Sequence, residues 1–166
     1  VPGFWWRGKN RCGTRPRRPG TTFTSESRVV ARVMADIEST TTNDPGFHAL
    51  IRVGDFELSI DATTEDGPSP NEVLVADYAS CYTFAFRAGA QRNDYDELGR
   101  IQTDASADVD DDDDLESISF EMHVEADLDE EEQAELKELA DDICHVHAAL
   151  KEHLYADVNI HPGADL

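Results

Sequence analysis

Cys81, Cys144 and the run Cys144-His145-Val146-His147 hold the side chains of this sequence best suited to chemistry. As thiolates, the cysteines could attack an electrophile or cycle between dithiol and disulfide. With His145, His147 and either His123 or His161, Cys144 could instead help to hold zinc or copper, which thiolate and imidazole both suit. On a helix, though, only positions 144 and 147 of that run share a face. Against both stands the ordinary fate of a cysteine in a reducing compartment, that of a small core residue. Their separation in sequence does not show whether the two thiols meet.

The rest of the chain bounds what they could do. Its 166 residues suffice for one domain with a real core. Acidic residues outnumber basic ones 36 to 14, giving a net charge of -22, so phosphate-rich partners such as nucleic acid or an anionic membrane would repel it. No apolar run is long enough to span a bilayer. Three scattered cysteines do not form the dense staple pattern of a small secreted domain, and a cytoplasmic location is expected. Such a density of carboxylates is the signature of a protein kept soluble in molar salt, where self-repulsion is screened within a few ångströms.

Residues 1–33 break that pattern. They hold Arg7, Lys9, Arg11, Arg15, Arg17, Arg18, Arg28 and Arg32 against the single acid Glu26. A targeting peptide, a basic arm for an anionic partner and an over-extended reading frame all fit. The third is preferred, because composition and charge switch near Met34 and the chain opens on Val. The expected domain is therefore 34–166, and Cys12 is set aside.

Downstream, Phe47, Ala49, Ile51 and Val53 alternate with other residues, as do Phe56, Leu58, Ile60 and Ala62, and Gly54-Asp55 between them predicts a tight hairpin. Ser69-Pro70-Asn71-Glu72 reads as a capping box with Pro at the first helical position, opening a largely buried helix over about 70–92. A weak strand follows at Ile101–Val109, then the acidic run Asp110–Asp114. That run lacks the ligand spacing and central Gly of a calcium loop and reads as a charged turn. Ile118, Phe120, Met122 and Val124 mark a one-sided strand. Asp129 with Glu132 caps a second helix whose Leu136, Leu139, Ile143, Val146 and Leu150 form one stripe. Ala156, Val158 and Ile160 mark a last strand. The order β-β-α-β-β-α-β is that of an α+β domain with an antiparallel sheet packed on two central helices.

Residues Gly67-Pro68-Ser69-Pro70-Asn71-Glu72-Val73-Leu74-Val75-Ala76, Tyr78-Ala79-Ser80-Cys81-Tyr82 and Asp142-Ile143-Cys144-His145-Val146-His147 resemble the family of osmotically inducible protein C and the organic hydroperoxide resistance proteins, the OsmC/Ohr family. The resemblance runs from about Gly67 to Ile160. It implies an intertwined homodimer acting as a thiol peroxidase on alkyl or lipid hydroperoxides. Cys81 would be the attacking thiol and Cys144 the one that closes a disulfide with it. An external dithiol would be the reductant, with no cofactor and no metal. Tyr78, Tyr82, Phe84 and Phe86 would supply apolar surroundings. An Arg and a Glu activate the thiol in the family's peroxidases. Here Asn71 stands at the Glu position with Glu72 next to it, and Arg52 is the basic residue of the N-terminal strands. The alternatives are a dimer that binds a small apolar ligand without chemistry and a Cys/His metal-binding protein.

Overall fold

The computed structural model describes residues 35–95 and 97–166, so the expectations for residues 1–33, Cys12 and Met34 lie outside it. From Ile37 onward the chain forms one compact unit. Strands β1 (Ser39–Asn43), β2 (His48–Val53) and β3 (Phe56–Asp61) make an antiparallel meander in the order β1-β2-β3. Val53 pairs with Phe56 across the predicted two-residue turn, where Gly54 takes the left-handed φ of 59° that such a turn requires. β1 was not foreseen, because Ser-Thr-Thr-Thr-Asn carries no apolar alternation.

Helix α1 (Pro70–Arg92) then opens on the expected capping box: the Ser69 side chain accepts from the Glu72 N–H, and the Glu72 carboxylate accepts from the Ser69 N–H. β4 (Ile101–Val109) and β5 (Leu115–Val124) are joined by the acidic turn, in which the Asp110 carboxylate accepts from the N–H groups of Asp112 and Asp114. Helices α2 (Glu130–Ile143) and α3 (His145–Ala149) and a 3-10 turn at Glu152–Leu154 lead to β6 (Asp157–Pro162). β6 lies on the free side of β5 and parallel to it, so one pair of this mixed α+β fold departs from the antiparallel expectation. A parallel neighbour needs a crossover, and α2 and α3 provide it.

The core lies between the second sheet and the helices. Ile118, Phe120, Met122 and Val124 of β5 are buried against Tyr78, Tyr82, Ala85 and Phe86 of α1 and Leu136 and Ala140 of α2. The two helices approach closely at Gly89, where a Cβ would stand 3.0 Å from the Leu139 Cβ. Two expectations are corrected. Within one chain α1 is covered on one side only, and Phe84 on its other side is 70% exposed. The first sheet also leaves Leu50, Val53, Phe56 and Leu58 exposed, while Ile60 at the end of β3 is buried.

Candidate active site

Cys81 lies three turns into α1, half-buried at the border between the packed and open faces. Cys144 is 1% exposed. The sequence placed it within the second helix, but the structure puts it in a break between two helices, with φ -71° and ψ 110°. Its N–H donates to the Ala140 carbonyl and ends α2. Its own carbonyl accepts from Ala148, and its Sγ accepts from the His147 N–H at 3.4 Å, which begins α3. One residue thus caps both helices. No Gly or Pro announces the break, which is why periodicity runs through it.

The two thiols adjoin. Burial pushes the Cys144 thiol up to about 11; the His147 N–H opposes that rise, while hydrogen bonding to and repulsion from the Cys81 sulfur add to it. At neutral pH Cys144 is therefore a protonated thiol facing a more accessible one.

Around them stands a polar network that sequence reasoning did not foresee. The Tyr78 hydroxyl accepts from the Ala156 N–H at 3.2 Å and lies 2.7 Å from His147 Nδ1. The Tyr82 hydroxyl donates to the Asp141 carboxylate at 2.7 Å. His147 stacks on Tyr155 with ring centroids 3.9 Å apart. Burial above all raises Tyr78 to about 12, and burial with the Asp141 hydrogen bond holds Tyr82 far above the ordinary phenol range. The fully buried Tyr78, Tyr82 and Phe120 rings form the wall behind the thiols, edge to face or tilted on one another. Of the expected apolar surroundings, Phe84 is absent from this wall because it points outward.

Arg52 and Glu72 are engaged elsewhere. Arg52 pairs across the first sheet with Glu57. Glu72 is spent on the capping box, where the Ser69 N–H lowers its pKa, and the helical rise separates it from Cys81 by about 13 Å. Asn71 donates to the Asp113 carbonyl and ties the start of α1 to the acidic turn. Nor are the histidines gathered into a ligand set. His145 is exposed, His147 turns to Tyr78, and His123 and His161 stack side by side on the second sheet with Asp104 and Glu121 as partners. Among the described residues no group of three His, Cys, Asp or Glu is arranged to hold a metal ion.

The family model for OsmC-like proteins matches residues 63–159, which take in both thiols and the helices that carry them. The chain belongs to the OsmC-like family. An uncharacterized protein of the halophilic archaeon Haloferax volcanii is 56% identical over 127 residues, covering 76% of this chain and 96% of its own. The crystal structure of an OsmC-like protein from Mycoplasma pneumoniae shares the fold with a TM-score of 0.68 at 17% identity, over 77% of this chain and 97% of that one. That of an organic hydroperoxide resistance protein of Bacillus subtilis does so with a TM-score of 0.56 at 21% identity, over 76% and 96%.

In this OsmC-like domain the raised groups make alkali a specific threat. Cys144 rises from 9.0 to about 11 and Tyr78 from 10.0 to about 12, so both hold their protons more firmly folded than unfolded. The stability this contributes is complete below the unfolded values and is lost as pH climbs through the folded ones. The urea midpoint is expected to fall steadily from about pH 9 to about 12, and Cys144→Ala should flatten the first part of that slope. A wild-type midpoint constant between pH 9 and pH 11 would contradict the placement of Cys144.

Proposed function

We propose that this OsmC-like protein is a thiol peroxidase that reduces organic hydroperoxides in a salt-rich cytoplasm. The observation that carries the reading is the asymmetric pair: a half-exposed Cys81 against a buried, protonated Cys144. The Cys81 thiolate attacks the outer oxygen of the hydroperoxide, the O–O bond breaks, the alcohol leaves, and Cys81 becomes a sulfenic acid. Cys144 then displaces the hydroxyl as water and forms the disulfide, which an external dithiol reduces by exchange. The aromatic wall favours an alkyl or lipid hydroperoxide over hydrogen peroxide. Relatives of the same fold carry the name of organic hydroperoxide resistance, which agrees with this reading. A second copy of the chain would cover the open first sheet and the outer side of α1, making the working form a homodimer.

The decisive experiment is a mass-resolved thiol count in molar KCl before and after one equivalent of cumene hydroperoxide. Loss of both thiols with a Cys81–Cys144 disulfide in the digest is expected. Intact thiols at both Cys81 and Cys144 would overturn the reading in favour of an apolar-ligand binder.

A further inference from the structure

His147 is held at three points. Its main-chain N–H donates to Cys144 Sγ at 3.4 Å, its Nδ1 lies 2.7 Å from the Tyr78 hydroxyl, and its ring stacks on Tyr155. The Tyr78 oxygen also accepts from the Ala156 N–H, so one hydroxyl ties the imidazole Nδ1 to the main chain just ahead of β6. Sulfur is a weak acceptor, and a five-residue helix is too short to hold its own first turn. What keeps the N–H on the sulfur is therefore the anchored ring of the same residue.

We propose that His147, clamped between Tyr78 and Tyr155, is the positioning residue of the resolving thiol, holding Cys144 Sγ against Cys81 for the step that closes the disulfide. The inference rests on the peroxidase reading above. In that step the Cys144 sulfur forms the S–S bond as the S–O bond of the Cys81 sulfenic acid breaks. The thiol proton leaves with the hydroxyl as water, and the hydroperoxide consumed in the step before is the only oxidant. Attack at sulfur needs a narrow line of approach, which a buried thiol cannot regain by moving through solvent. The first step, at the more exposed Cys81, makes no demand on His147.

The test separates the two steps in a single turnover with cumene hydroperoxide, following peroxide loss, a sulfenic-acid trap on Cys81 and disulfide by mass. In His147→Phe, peroxide loss should stay within about twofold of wild type while disulfide formation slows about tenfold or more and trapped sulfenic acid accumulates. His147→Asn, which keeps a polar partner for the Tyr78 hydroxyl near the Nδ1 position, should recover much of the second rate. Tyr78→Phe, which keeps the ring and removes the hydroxyl, should slow the second step more than the first. Should His147→Phe fail to fold, these last two variants decide the matter. Wild-type disulfide rates in both would overturn the inference, as would equal slowing of both steps, the mark of a merely structural role. A wild-type protein that forms no sulfenic acid at all would instead sink the peroxidase reading beneath it.

Discussion

Cys81→Ser is expected to abolish hydroperoxide consumption, a loss on the order of a thousandfold or more, since among the described residues Cys81 is the accessible thiol that can accept the transferred oxygen. Cys144 cannot substitute. It is buried to 1% exposure and holds its proton to about pH 11, so the nucleophilic form is almost absent at neutral pH. Because Cys81 is only half-buried, the serine variant should unfold within about 1 kcal/mol of wild type, which keeps loss of chemistry distinct from loss of fold. Cys144→Ser should behave differently: one equivalent of peroxide is consumed, then turnover stalls with Cys81 oxidised. Stopped-flow peroxide consumption by the pre-reduced variants, with no dithiol added, distinguishes the two patterns: none for Cys81→Ser and one equivalent for Cys144→Ser. Undiminished turnover in Cys81→Ser would remove the thiol from the mechanism.

Phe120→Ala should give the largest loss of stability, about 3–5 kcal/mol by urea unfolding, from lost burial and the cavity left behind. Phe120 is fully buried on β5 with its ring centroid 4.9 Å from that of Tyr78 and 5.7 Å from that of Tyr82. Removing it withdraws the support behind both phenols, and through them the contacts to His147 and Asp141. The variant should therefore also lose disulfide formation at temperatures where it is still folded. Phe120→Leu, which fills most of the space, should keep both. A cost below about 1 kcal/mol for the alanine variant would mean that the second sheet does not pack on α1 as described.

What the sequence disclosed and what it hid follow from how each feature is encoded. The capping boxes at Ser69 and Asp129 and the Gly54 turn are local devices written in adjacent residues, and all three are in place. The one-sided pattern of β5 fixed its buried face. By contrast, the break at Cys144 depends on tertiary anchors: Tyr78 comes from α1 and Tyr155 from beyond α3, far from the residue they help to turn. The adjacency of Cys81 and Cys144 likewise rests on the close helix approach at Gly89, which no periodicity reports. Phe84 misled because an apolar residue on a helix was assigned to its own chain's interior. The open stripe it belongs to is a surface that a single chain leaves uncovered.

The parallel pairing of β5 with β6 also orders the assembly of the domain in time. The β4–β5 hairpin closes through the short acidic turn and can form early, whereas β6 reaches β5 only across a separation of 38 residues in which α2 and α3 must first take shape. Cys144 lies inside that crossover, while Cys81 belongs to α1, which precedes it in the chain. While the chain is being synthesised, then, there is an interval in which Cys81 is present without its partner. An oxidant met in that interval leaves a sulfenic acid with no neighbour to resolve it, open to further oxidation or to capture by another chain.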